Sequence, residues 1–267
     1  MTISLVRAAM TALASLALLT SMNASVGIAD DSWKAALERK TISDDSGSLD
    51  YRLLTPPKSD SGDEKQQYPL VLFLHGAGER GSDNEAQLVH GVGDFYARRA
   101  THPAFVVAPQ CPEGQRWVEV DWSDESGKNS FPDKPSEPMR LALKIIDQLV
   151  ASGRVDQDRI YVTGLSMGGY GTWYAAGFKG HPFAAAAPIC GGGDPSWAER
   201  YVGLPLWAFH GDADKAVPVE RSREMIEAIR EAGGEPKYTE YPGVGHNSWS
   251  QTYSNDAFHE WLFAQKR

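Results

Sequence analysis

The run Ile160-Tyr161-Val162-Thr163 leads directly into Gly164-Leu165-Ser166-Met167-Gly168, and Gly169-Tyr170-Gly171-Thr172-Trp173 follows. This puts G-x-S-x-G on a strand-to-helix junction, the setting of a nucleophile elbow. The turn is so sharp that the serine takes a strained backbone conformation. Side chains two residues away on either side would strike the neighbouring strand and helix. A chance Gly/Ser turn is the competing explanation, since the five-residue pattern is common; the strand before it and the helix after it speak against chance. Such a junction demands a strand buried in a sheet and a helix packed on that sheet.

The rest of the chain supplies both. Residues 49–55 read as an early strand that Pro56-Pro57 stops, and 70–74 as a buried central strand. Ser82 and Glu85 have capping-box spacing, which predicts a helix reaching about Arg99. Further strands are predicted at 105–108, 160–163, 183–189, 204–210 and 236–241. Helices are predicted at about 139–152, 168–178 and 219–231, and Asn255 is placed to cap a closing helix with Phe258, Trp261 and Leu262 on one face. Apolar runs alternating with amphipathic ones indicate an α/β fold, a mostly parallel central sheet flanked by helices. Residues 111–138, following the strand that ends near Ala108, break the alternation. This insertion carries Pro112, Pro132, Pro135 and Pro138 with Trp117, Trp122 and Phe131. A loop of that length tends to be functional or disordered, and its aromatics argue against disorder.

The chain opens with a different composition. Arg7 is the only charged residue before Asp30, and an apolar run from Ala8 to Leu19 leads to the small-residue exit Gly27-Ile28-Ala29. Residues 1–29 therefore read as a cleavable secretory signal peptide, since the run is short for a spanning helix. Residues 30–267, which hold no convincing linker, are expected to form one domain, secreted or periplasmic. The formal net charge is −9, and losing Arg7 makes it more negative. So acidic a surface has no electrostatic reason to bind nucleic acid or anionic lipid, and no stable membrane insertion is expected. Export would permit a disulfide between Cys111 and Cys190, but each follows a separate predicted strand and the sequence leaves their pairing open. No zinc-type spacing is present, so no metal is expected.

One motif invites a cofactor reading. Gly76-Ala77-Gly78-Glu79-Arg80-Gly81 matches G-x-G-x-x-G directly after a strand. A dinucleotide site also needs an acidic residue at the end of the next strand. That strand ends at Pro109-Gln110, so no cofactor is expected.

A serine hydroxyl needs a base before it becomes a useful nucleophile. His246, on a loop after the last predicted strand, is best placed to serve Ser166. His75 precedes the glycines above and is expected to position that loop; His210 ends a strand and His259 sits on the closing helix. His90, His102 and His181 fall on predicted surface segments. For an acid, both Asp212 and Asp214 qualify in His210-Gly211-Asp212-Ala213-Asp214-Lys215-Ala216-Val217-Pro218. The order Ser, Asp, His is that of α/β-hydrolases.

Taken together, LHGAGERG, GLSMGGYGTW, HGDADKAVP and GVGHNSW resemble the secreted esterase branch of the α/β-hydrolases, whose relatives are dienelactone-hydrolase-like, prolyl-oligopeptidase-like, or phospholipase/carboxylesterase and poly(3-hydroxybutyrate) depolymerase-like proteins. The resemblance runs from about Leu70 to the C-terminus. It implies Asp214 as the acid, with Asp212 shaping the loop, and a Ser166–Asp214–His246 triad. It also implies an oxyanion hole from the backbone N–H groups of Met167 and Ala77. Trp117, Trp122, Trp197 and Trp249 are candidates to line a substrate pocket. The expected activity is cleavage of carboxylic esters through an acyl-enzyme. Short-chain or polysaccharide- or polyester-linked esters are favoured, because the insertion lacks the Leu- and Val-rich segments of an interfacial lipase lid. A prolyl-oligopeptidase-like serine peptidase is the nearest alternative. A non-catalytic binding protein is more remote, since all three triad members are present.

Overall fold

Eight strands hydrogen-bond into a single sheet in the computed structural model, which describes residues 31–57, 66–121, 130–179 and 183–267. The expected signal peptide therefore lies outside the described residues, as do Trp122 and His181. In chain order the strands are β1 (Leu37–Asp44), β2 (Gly47–Leu54), β3 (Tyr68–Leu74), β4 (Phe105–Pro109), β5 (Val155–Leu165), β6 (Ala185–Ile189), β7 (Trp207–Gly211) and β8 (Lys237–Tyr241). Across the sheet the order is β1-β2-β4-β3-β5-β6-β7-β8. The first two strands form an antiparallel hairpin that joins β4 antiparallel, and every pairing from β4 to β8 is parallel.

A parallel sheet must be covered on both faces, and the central strands are apolar throughout for that reason. All of β3 is buried. Its Leu70, Leu72 and Leu74 enter one core, with Met139, Leu141 and Ile145 of helix α2 (Glu137–Ala151) and Tyr170 and Trp173 of α3 (Met167–Gly177). Val71 and Phe73 enter the other, with Val92 and Phe95 of the short α1 (Val92–Ala97). The second core also takes in Tyr253 at the end of α5 (Trp249–Tyr253) and Phe258 and Leu262 of α6 (Asp256–Ala264). The remaining helix, α4 (Glu220–Glu231), brings Met225, Ile226 and Ile229 to the first core. Asn255 caps α6 as expected, accepting from the Ala257 amide. Among the described residues no helix is long and apolar enough to cross a membrane.

Four elements differ from the expectation. No helix runs from Ser82 to Arg99. The segment holds a 3-10 turn at Ala86–Leu88 and then α1, and ahead of the turn the Asp83 carboxylate accepts from the amides of Glu85 and Ala86. Gly91 separates the two pieces at φ 73, where a Cβ would come within 2.7 Å of the Phe73 and Tyr253 rings; the chain must kink to pass these aromatics. The strand β1 was not expected, because only Leu37 and Ile42 of Leu-Glu-Arg-Lys-Thr-Ile-Ser-Asp are buried. Its charges suit an edge strand that must not recruit another chain. A 3-10 segment at Pro195–Tyr201 and the helix α5 were also absent from the sequence reading.

Candidate active site

The first residue to consider is Ser166, at the turn from β5 into α3. It has φ 55 and ψ −117, a strained conformation for a residue other than glycine. The flanking glycines make it possible. A Cβ on Gly168 would lie 1.9 Å from the Leu74 carbonyl oxygen, and one on Gly164 would lie 2.5 Å from the Gly168 and Leu74 oxygens. The helix therefore starts hard against the end of β3, and the Ser166 amide is tied to Ile189 O at 2.9 Å. The hydroxyl is left partly exposed above the carboxyl edge of the sheet.

Asp214 and His246 come from loops after β7 and β8, and neighbouring backbone stitches those loops together. Ala213 N–H donates to Val244 O at 3.0 Å, Asp212 N–H to Tyr241 O at 3.2 Å, and Gly243 N–H to the Asp212 carboxylate at 2.6 Å. A Cβ on Gly211 would sit 2.2 Å from Val244 O, so this crossing requires glycine. Asp212 is thus the loop-shaping aspartate, and Asp214 is the one that faces the histidine.

His246 Nδ1 lies 2.6 Å from Asp214 Oδ2, and its Nε2 lies 2.9 Å from Ser166 Oγ. A carboxylate only accepts, so Nδ1 carries the hydrogen and Nε2 is free to accept from the serine hydroxyl. Asp214 has a fully buried side chain. Burial opposes its ionisation, but hydrogen bonds from His210, His246 and the amides of Val217 and Ala216 outweigh that effect and hold the carboxyl well below the usual carboxylate range.

The loop after β3 closes the other side. His75 is buried, with Nδ1 2.6 Å from Gly76 O and Nε2 accepting from the Cys111 amide at 2.9 Å. Burial pushes its pKa down to about 4, so it is a neutral strut that positions this loop, as its place in the sequence suggested. Arg80 Nε donates to Ala77 O at 2.9 Å and fixes the Ala77–Gly78 peptide of this loop; no sequence signal marks that role. Ala77 begins a 3-10 turn (Ala77–Glu79) and Met167 begins α3. The N–H of a first helical residue has no partner within its helix, so both are available at the same edge of the sheet as Ser166.

The tryptophans separate into two roles. Trp249 is partly exposed and meets the His246 ring edge-on, with centroids 5.3 Å apart at 90°; His90, expected to be solvated, is half-buried with its ring 5.3 Å from that of Trp249. Trp117 and Trp197 are corrections. Trp117 is fully buried, and its indole N–H donates to His75 O at 2.9 Å. Trp197 is buried between Phe131 and Tyr174 and is covered by Arg200. Both are core residues, and Phe131 of the insertion packs edge-on against Trp197. Cys111 and Cys190 are free, buried thiols. Burial pushes the Cys111 thiol up to about 12 and Cys190 higher still.

Known proteins resemble this chain in sequence and in fold. A family model described as phospholipase/carboxylesterase matches residues 60–255. A solved thermostable esterase is 41% identical with a TM-score of 0.80, over 88% of this chain and 64% of that one. Poly(3-hydroxyalkanoate) depolymerase C of Paucimonas lemoignei is 33% identical over 126 residues, covering 46% of this chain and 28% of the depolymerase. An uncharacterised secreted protein of Arthroderma benhamiae is 25% identical over 249 residues, covering 79% of this chain and 25% of its own length. The chain thus spans about a quarter of the length of these two relatives. With the family model covering most of its length and the solved esterase matching its sheet and helices, the chain belongs to the phospholipase/carboxylesterase family of α/β-hydrolases.

Proposed function

We propose that this chain is an exported serine hydrolase that cleaves carboxylic esters through an acyl-enzyme on Ser166. The observation that carries the reading is the unbroken chain from Ser166 Oγ through His246 to Asp214, with contacts of 2.9 and 2.6 Å. Ser166 Oγ attacks the carbonyl carbon while its proton passes to His246 Nε2. The oxygen that becomes negative is met by the N–H groups of Met167 and Ala77. As the tetrahedral species collapses, the bond to the alcohol oxygen breaks and His246 returns the proton to that oxygen. Water then repeats the sequence on the acyl-serine, releasing acid and restoring the hydroxyl. Asp214 keeps the imidazole in the required tautomer and offsets its charge in both halves.

Trp249 is the pocket residue this reading retains, since it lies against His246 and reaches solvent. The favoured substrates are short-chain or polymer-linked esters, supported by the polar insertion and by the likeness to a polyester depolymerase. Two measurements test the proposal. A chain-length series of p-nitrophenyl esters beside aminoacyl amides ranks the chemistries; amide cleavage without ester cleavage would replace esterase with peptidase. A fluorophosphonate probe should label the native protein and leave Ser166→Ala unlabelled, and that variant should lose about 10⁴ or more in turnover with substrate binding retained. Export with cleavage near residue 30 is read from the N-terminus of the secreted protein, which would start at Met1 if the leader were retained.

A further inference from the structure

A second imidazole touches the acid of the site. His210, near the end of β7, is fully buried. Its Nε2 lies 3.0 Å from Val217 O and 3.3 Å from Asp214 Oδ2, the same oxygen that His246 contacts. A carbonyl and a carboxylate both only accept, so Nε2 must carry hydrogen, shared between the two. The other ring nitrogen, Nδ1, is 2.7 Å from Ser222 Oγ of α4, and that oxygen also reaches Gly191 O at 3.2 Å. The ring is thus pinned on both sides, by a helix and by the loop it serves.

Asp214 is consequently held from every direction. Oδ1 accepts from the amides of Ala216 and Val217 at 2.8 and 3.0 Å, and Oδ2 faces two imidazoles. The two amides fix the position of Oδ1 but leave rotation about the Cγ–Oδ1 direction open. The His210 contact closes that freedom, so that Oδ2 points at His246 Nδ1. We propose that His210 is a positioning residue: its Nε2–H, anchored through Ser222, fixes Asp214 Oδ2 in line with His246 and so sets the orientation of the base toward Ser166. This rests on the serine-hydrolase reading above and adds to it a fourth side chain, with a fifth behind it.

The test uses the full exported chain and begins with that reading: native esterase turnover must be abolished by Ser166→Ala, and if it is not, the reading fails before His210 is at issue. His210→Leu removes the donor at similar volume. Its kcat should fall about tenfold to hundredfold, the effect of one hydrogen bond to a charged group, with KM within about twofold. His210→Gln returns an N–H near the Nε2 position and should recover to within about threefold of native. The low-field proton resonance of the His246–Asp214 hydrogen bond should move in the Leu variant and return in the Gln variant, which a purely structural strut would not produce. If His210→Leu does not fold, Ser222→Ala decides, with kcat expected to fall about threefold or more at constant KM. Native-like kcat in His210→Leu, or in Ser222→Ala where that variant decides, overturns the proposal, as does equal impairment of the Leu and Gln variants.

Discussion

Lowering the pH from 7.5 to 5 should remove about 4 kcal/mol from the stability of this chain without touching most of its carboxylates. Two buried histidines are responsible. His75 and His259 are 1% and 0% exposed, and burial pushes each down to about 4 from the ordinary 6.5. The unfolded chain therefore takes up protons near pH 6.5 that the folded chain refuses until about pH 4. Stability is full above that window and declines as the pH falls through it. At pH 5 the gap from 6.5 is about one and a half pH units, and each unit is worth about 1.4 kcal/mol per histidine, so each contributes a loss of about 2 kcal/mol. That is a large share of the roughly 5–15 kcal/mol typical of a domain. The structure also says what breaks. A charged His75 would turn an Nε2–H against the Cys111 amide that it now accepts from, and a charged His259 would place an Nδ1–H where no partner waits among the described residues.

Urea unfolding followed by tryptophan fluorescence at the two pH values measures the effect, and His259→Gln isolates half of it. Glutamine can keep the donor to Tyr253 O, at 2.7 Å in the native chain, but does not titrate. The variant should lose only about 2 kcal/mol over the same interval. A native loss below about 1 kcal/mol, or an equal loss in His259→Gln, would refute the assignment of the acid sensitivity to these rings.

The remaining predictions concern the site and the thiols. Asp214→Asn should fold normally and lose about 10⁴ in kcat, because an amide facing His246 Nδ1 favours the wrong tautomer; esterase assays at saturating substrate beside a thermal melt decide. Gly76→Ala should cost about tenfold or more in kcat, since its Cβ would lie 3.0 Å from Leu165 Cδ1 and 2.9 Å from Glu79 Oε2 and so displace the loop bearing Ala77. Gly78→Ala, with nothing within 4 Å, should stay within about twofold; steady-state kinetics on both variants checks the contrast. A thiol reagent at pH 8 should find no reactive cysteine in the native chain and both after denaturation without reductant, since Cys111 and Cys190 are buried and unbridged.

What could be read from the sequence divides along a physical line. The central strands were legible because burial on both faces makes them apolar throughout, and the serine turn because steric necessity fixes its glycines. The order of acid and base followed from the loops that end β7 and β8. The strand β1 was not legible, since an edge strand with two buried side chains has no period to find. Trp117 in the insertion misled for a related reason: composition marks it as notable, but only tertiary structure shows its indole donating to His75 O. His210 escaped because its contact to Asp214 spans a loop whose course is set by Gly211 and the β8 crossing.

The glycines after β3 make the same point from the opposite side. As a pattern, Gly76, Gly78 and Gly81 are equivalent members of G-x-G-x-x-G. In the fold they are not. Gly76, at φ −76, is needed for space beside Glu79 and Leu165; Gly78 faces open space; and Gly81 lies 3.1 Å from the Gln110 side-chain amide by the same Cβ measure. A phosphate loop uses its glycines to bring backbone to a ligand and to pack a helix closely on a strand. Here the turn that follows is a three-residue 3-10 segment, and the close packing is against the serine elbow. The requirement that one glycine meets is therefore set in part by Leu165, some ninety residues away along the chain, as well as by Glu79 within the motif. A spacing rule read locally assigns the right residue type to the wrong cause, and the contact that distinguishes the two causes exists only once β3 and β5 lie side by side.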